Sequence, residues 1–213
     1  MIYSKTSEFF NSYVHDFDAI YGNNNTNLNL LINKYFRTSM KLRYIETING
    51  CQPVEGKTAI DIGCGPGHYS VALAQKGIKS VVGIDFAQNM LDVAAKRAKE
   101  AGVEDKCSFI CGDFFAFNFE EQFDYSVVMG VMDYINTPEV FIEKVLSLTR
   151  SKAFFSFPLD EGFLAWKRKI KYKKRCNLYM YKKTDVEKLF KSKQFEKIEY
   201  TKLARDLYVM VNM

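Results

Sequence analysis

This 213-residue chain has little with which to build a metal or disulfide site. It holds two histidines, His15 and His68, with no HxH or HxxxH spacing, and five cysteines with no CxxC pair. Zinc coordination and a metal-hydroxide mechanism need such clusters, so no metal is expected. The cysteines, Cys51, Cys64, Cys107, Cys111 and Cys176, are odd in number and lack framework spacing, which points to a reduced, cytoplasmic protein. No apolar run approaches the roughly 18 residues of a membrane span. The start, Met1 to Glu8, has no apolar stretch and is not a signal peptide. With only 4 prolines, no repeat and no low-complexity linker, collagen-like and disordered classes are also excluded.

What is present is an ordinary apolar fraction, 47%, in a chain long enough for one large domain with a proper core. Helical spacing runs through residues 7–21 and 28–49, the second carried by Leu28, Leu31, Ile32, Tyr35, Leu42 and Ile45, with an Asn-rich turn at 23–27 between them. Residues 1–50 are therefore expected to form an N-terminal helical lid, and 51–213 the main domain. From residue 57 strands and helices alternate. Strands are predicted at 58–62, 80–84, 107–111, 123–129 and 153–157. Helices are predicted at 69–75, at 87–101 with Met90, Leu91, Ala94 and Ala98 on one face, and from Thr137-Pro138 to 148. Such alternation gives βαβ units and a parallel sheet covered on both faces. Thr184-Asp185-Val186-Glu187 has the pattern of a capping box opening a helix to 190. Two strand-like runs, 195–200 and 207–211, follow with no helix between them, so they should pair antiparallel at one edge. The expected fold is α/β, a Rossmann-like, seven-stranded, mostly parallel sheet with an antiparallel C-terminal edge strand.

The densest chemical signal is Asp61-Ile62-Gly63-Cys64-Gly65-Pro66-Gly67-His68, a strand running through three glycines into a helix. Glycines allow a tight turn and close backbone approach to a ligand, and the helix start offers free N–H groups. Alone, such a loop is shared by many nucleotide-binding folds. The dinucleotide spacing would place glycine where His68 stands. Asp85 ends the next strand, placed to accept ribose hydroxyls, and Asp113 follows the third, placed for an adenine amino group. Asp61, just before the glycines, would repel a pyrophosphate and suit a cation. A nucleoside carrying a sulfonium fits better than a diphosphate.

With these residues in place, 57–158 resembles the class I, seven-strand S-adenosylmethionine-dependent methyltransferases. Asp61–Gly67 is similar to that family's first motif, Val82-Gly83-Ile84-Asp85-Phe86 to its ribose-binding strand end, and Gly112-Asp113-Phe114 to its adenine-contacting turn. Phe123–Gly130 resembles the strand whose end faces the transferred methyl. The resemblance implies S-adenosylmethionine, released as S-adenosylhomocysteine, bound by Asp61, Gly63, Gly65, Gly67, Asp85, Phe86, Met90, Asp113, Phe114 and Met129, with Phe86, Met90 and Phe114 about the adenine ring. Tyr13 and Tyr21 would close over it from the lid.

Methyl transfer is an in-line displacement, so the protein must align nucleophile and methyl and exclude water, and a general base is optional. Asp133 and Tyr134, after the methyl-facing strand, and His15 in the lid are the candidate catalytic side chains. The family's Pro-Pro-aromatic and Pro-Cys signatures for amino-adenine and cytosine-C5 methylation are absent, since that position reads Met129-Gly130-Val131-Met132-Asp133-Tyr134. The stretch from Ser156-Phe157-Pro158 onward also resembles magnesium-protoporphyrin O-methyltransferases, which act on a carboxylate.

Charge is divided unevenly. Residues 1–157 carry 15 basic and 18 acidic side chains, and 158–213 carry 15 and 7. Seven cations fall within Lys167–Arg175, inside an expected substrate-recognition insertion at 158–183. Arg168, Tyr172, Arg175, Tyr179 and Tyr181 are its candidate substrate contacts. An anionic or aromatic metabolite methylated on oxygen or nitrogen is the leading expectation. RNA methylation through the basic segment, or a catalytically inactive binding domain, are the alternatives.

Overall fold

The computed structural model describes residues 27–162, 165, 178–191 and 194–213. The expected helix at 7–21 and the candidates Tyr13, His15, Tyr21, Arg168, Tyr172 and Arg175 lie outside the described residues. A long helix, α1 (Asn27–Gly50), precedes the alternation: β1 (Thr58–Ile62), α2 (His68–Gln75), β2 (Ser80–Asp85), α3 (Gln88–Glu100), β3 (Cys107–Cys111) and β4 (Phe123–Val128). α4 (Pro138–Ser147), β5 (Thr149–Pro158), α5 (Lys183–Phe190), β6 (Lys197–Leu203) and β7 (Asp206–Asn212) complete it.

All seven strands join one sheet in the order β3-β2-β1-β4-β5-β7-β6. β1 to β5 run parallel, and β7 is antiparallel to both of its neighbours. The antiparallel C-terminal strand thus lies one place in, and β6 forms the edge. Burial explains the choice. Asp206, Leu207, Tyr208, Val209 and Val211 of β7 are buried, whereas β6 exposes Lys197, Thr201 and Lys202. The more apolar strand takes the covered position. A two-residue turn at Ala204-Arg205 reverses the chain, with Ala204 at φ +54°, the left-handed backbone that hairpin turns demand.

The alternating side chains of the strands divide the core. On one face Ile60, Val128, Phe155 and Val209 meet α4 (Phe141, Ile142, Val145) and α5 (Val186, Phe190). On the other, Ala59, Val81, Tyr125, Val127 and Phe154 meet Ile48 of α1 and Ala72 and Leu73 of α2. α3 buries Met90, Leu91, Ala94 and Ala98, the face its spacing predicts. The parallel strand β4 is buried throughout, as a central strand covered twice should be.

Three local expectations change. α1 does not stop at a lid boundary: Ser39, Arg43, Thr47 and Ile48 are buried, and a Cβ on Gly50 would meet Phe154 at 2.6 Å. Its C-terminal half is built into the main domain. β5 begins at Thr149 rather than 153, because pairing with β4 and β7 on both sides carries its polar N-terminal residues into the ladder. α5 starts at Lys183 with Lys182 as N-cap and no side-chain cap, so Thr184 sits inside the helix and the capping box does not form.

Candidate active site

The strand order reverses between β1 and β4, and in open α/β sheets the crevice beyond the strand ends at such a switch point is where ligands bind. Two turns flank it here: the glycine loop after β1 and Gly130-Val131 after β4. They touch, for a Cβ on Gly63 would overlap Cγ2 of Val131.

The loop folds over the tip of β2. Gly63 N–H donates to Ile84 O at 2.8 Å, Gly65 N–H to Asp85 Oδ2 at 2.9 Å, and Gly67 N–H to Cys64 O at 3.0 Å. Gly63, Gly65 and Gly67 have φ of +66°, +50° and +73°, a conformation only glycine adopts without strain. Arg97 of α3 donates to Pro66 O and fixes the loop from behind. Packing adds a second demand at Gly67, where a Cβ would meet that of Ala94 at 2.8 Å. Gly67→Ala is expected to cost on the order of 2 kcal/mol and about 4–8 °C in thermal midpoint, read by differential scanning calorimetry.

Both acids beside this loop accept hydrogen bonds from the chain around them. Asp85 Oδ1 accepts from Ala87 N–H at 2.9 Å, so one carboxylate ties the glycine loop to the start of α3. Asp61 is 2% exposed, and its Oδ2 accepts from Ser70 N–H at 3.1 Å and Ser70 Oγ–H at 2.7 Å. Asp61, an expected cofactor contact, is thus engaged through Oδ2 by Ser70. It points beneath α2 and supplies the N-terminal carboxylate that the helix dipole favours. Burial pushes its pKa up to about 7, against the Ser70 hydrogen bonds that lower it and with Asp85 raising it further. Burial likewise raises Asp85, and it holds the Cys64 thiol well above its usual range. Two desolvated carboxyls make this end of the crevice a place for positive charge.

Asp113 follows β3, and its Oδ1 accepts from Phe115 N–H at 2.9 Å, an Asx turn. Phe86 beside Asp85 is half-buried. Met90 and Phe114, expected to flank an adenine, are only 2% and 6% exposed. Phe114 packs against Phe141 with ring centroids 5.3 Å apart and against Phe119 at 6.1 Å, and Lys144 Nζ lies 5.1 Å from its centroid. It is a core residue, drawn inward by the aromatic cluster under β4. Met90 faces the sheet with the rest of its helix stripe.

Across the crevice, Met129 is half-buried and Met132–Tyr134 form a single 3-10 turn in which Asp133 is 4% exposed. The chain returning after β5 docks here. Tyr179 N–H donates to Asp133 O at 2.8 Å, and Tyr181 Oη–H donates to Met132 O at 3.0 Å. Burial, then Asp133, raises the Tyr181 pKa, and its ring stands edge-on to Phe157 at 5.2 Å. Tyr181 thus braces the acceptor-side turn, and Tyr179 lies beside it.

A buried polar group escaped the sequence reading. Arg43 Nη1 donates to Ser156 Oγ at 3.0 Å and lies 3.4 Å from Asp206 Oδ2, to which Ser39 Oγ also donates. Gly130 N–H donates to the same Ser156 Oγ at 2.9 Å. The only hint in the sequence is a serine and an aspartate in otherwise apolar strands.

A family model described as a methyltransferase domain matches residues 59–152, the segment that builds the loop, both acids and the turn after β4. Over these residues the chain is similar to that family. Among curated relatives, a ubiquinone biosynthesis O-methyltransferase of Stutzerimonas stutzeri is 35% identical over 103 residues, 47% of this chain and 44% of that protein. A protein of the same name from Coxiella burnetii is 30% identical over 130 residues, 60% and 53% of the two chains. This chain matches about half the length of such relatives. Among solved structures, the magnesium protoporphyrin IX methyltransferase of Synechocystis PCC 6803, crystallised with bound SAH, superposes with a TM-score of 0.78 at 21% identity over 97% of each chain. The DhpI-SAH complex does so at 0.68 and 14% identity, over 99% of this chain and 96% of the other. A Rossmann-like fold is therefore shared with these structures along nearly the whole chain. Among the described residues no helix is long and apolar enough to cross a membrane, and no three His, Cys, Asp or Glu converge as metal ligands.

Proposed function

We propose that this protein transfers a methyl group from S-adenosylmethionine to an oxygen or nitrogen of a small metabolite. The observation that carries the reading is the Asp85 carboxylate gripping the glycine loop at the switch point. Its two oxygens accept backbone N–H groups from the glycine loop and the start of α3, and a carboxylate's roughly four lone-pair sites leave acceptor capacity for a ribose diol. Gly65, where an added Cβ would meet nothing within 4 Å, leaves its backbone open to a ligand. Asp113 keeps a second carboxylate oxygen for an adenine amino group, and Phe86 offers the remaining aromatic wall. The desolvated acids Asp61 and Asp85 favour a cationic ligand over a diphosphate.

When bound, the cofactor supplies a methyl carbon already activated by its sulfonium. Met129, Gly130 and Val131 form the opposite wall, where an acceptor would sit within reach of Asp133 and Tyr134. The protein's work is then alignment and exclusion of water. Asp133 and Tyr134 are the residues we assign to orient the nucleophile, with His15 a further candidate base. Substrate contacts are assigned to Arg168, Tyr172, Arg175 and Tyr179. The strongly basic C-terminal quarter and the O-methyltransferase names of the relatives support an anionic or aromatic acceptor. The free thiols of Cys51, Cys64, Cys107 and Cys111 fit a reducing compartment.

The test supplies the protein with methyl-labelled adenosylmethionine and three probe acceptors: 3,4-dihydroxybenzoate, protoporphyrin IX and bulk tRNA. Label is expected in a small acceptor, with only weak salt dependence. Label confined to tRNA, with an affinity that falls steeply with salt, would instead establish the RNA reading.

A further inference from the structure

Ser39, Arg43, Ser156 and Asp206 are 0%, 8%, 1% and 2% exposed, a buried polar group at the carboxyl end of a sheet that is otherwise packed with Phe, Val and Ile. It joins residues 39 and 43 of α1 to residue 156 of β5 and 206 of β7. Apolar side chains of similar volume would fill such a space at lower desolvation cost, so a network of this kind is better explained by what it positions than by stability.

What it positions is Gly130. The last ladder pair between β4 and β5 is Val128 with Phe155, so the Gly130 N–H has left the sheet. It bonds instead to Ser156 Oγ at 2.9 Å, and that oxygen also accepts from Arg43 Nη1 at 3.0 Å. Asp206 faces Arg43 at 3.4 Å and takes the Ser39 hydroxyl, while Ser39 also lies 3.1 Å from Leu203 O. Arg43 is thereby held on two sides. Gly130 turns with φ +76°, and the next side chain, Val131, rests on Gly63 of the glycine loop. A shift at Ser156 therefore passes through Gly130 and Val131 to the loop across the crevice.

We propose that Arg43, acting through Ser156, is a positioning residue for methyl transfer: it fixes the Gly130-Val131 turn and so the separation between the donor side and the acceptor side of the crevice. This rests on the methyl-transfer reading above. Displacement chemistry is sensitive to such spacing, since about 1 Å of misplacement can cost on the order of 100-fold in rate. The Arg43 contacts described above go to Ser156 and Asp206, on the acceptor side of the crevice. Its effect should therefore fall on geometry rather than on cofactor affinity.

The experiment uses the full chain loaded with adenosylmethionine carrying a 13C-labelled methyl, in the wild type, Ser156→Ala, Arg43→Met and Arg43→Lys. The methyl resonance of the bound cofactor is expected to move in Ser156→Ala and Arg43→Met and to return toward the wild-type position in Arg43→Lys. Cofactor affinity should stay within about threefold, while turnover of any acceptor labelled above falls about 10- to 100-fold with the KM for cofactor unchanged. Should Arg43→Met fail to fold, Ser156→Ala, which leaves the Arg43–Asp206 pair in place, carries the test. Variants that bind the cofactor with the methyl resonance and turnover of the wild type overturn the proposal. A wild type that binds no adenosylmethionine sinks the methyl-transfer reading instead. The Gly130 amide then decides the structural part: exchange about tenfold faster in Ser156→Ala supports it, and unchanged exchange overturns it.

Discussion

Asp85→Ala should lower affinity for S-adenosylmethionine and S-adenosylhomocysteine by at least about 100-fold, because the change removes two kinds of contact at once. The carboxylate holds Gly65 N–H and Ala87 N–H, each at 2.9 Å, so its loss frees the glycine loop and leaves two partly buried donors without an acceptor. It also removes the acceptors assigned to the ribose hydroxyls. Hydrogen bonds to a charged group are worth about 1.5–3 kcal/mol each, so two or three of them reach that factor. Asp85→Asn keeps one oxygen acceptor and should bind with intermediate affinity. Calorimetric titration measures both. An alanine variant with wild-type affinity would refute the ribose assignment.

Asp61 should make the protein less stable as pH rises. Burial lifts its pKa from the usual 3.8 to about 7 in the folded chain, with the Ser70 hydrogen bonds opposing the rise. Between those values the native state binds a proton that the unfolded chain does not, so stability is lost as pH climbs from about 4 to 7. The slope from this one group approaches about 1.4 kcal/mol per pH unit. Asp61→Asn keeps an oxygen for both Ser70 bonds and removes the titration. Urea unfolding at pH 5 and pH 8 should show the wild type losing a few kcal/mol relative to the asparagine variant. Parallel pH profiles for the two proteins would contradict the burial argument.

Much of the crevice at the switch point was legible because its signals are local. Three glycines after a strand, an acid ending the next strand and another acid after the third all follow from short windows, and the structure gathers them at one crevice. The alternation of strands and helices fixed the parallel core for the same reason. Direction within those windows was harder. Asp61 and Phe114 both stand in motif context, yet one turns under α2 and the other into the Phe141 cluster. That outcome depends on neighbours contributed by later strands and helices. The Arg43 group was invisible because its members are up to 167 residues apart and no periodicity links them. The placement of β7 inside β6 was likewise decided by a comparison of burial across two strands, and pairing carries both strands inward to a two-residue turn at Ala204-Arg205.

Titration of the intact chain with S-adenosylmethionine in a calorimeter tests the central claim most directly. A single site with a dissociation constant well below about 1 mM, lost in Asp85→Ala, is the predicted result. No saturable heat at millimolar cofactor would contradict it.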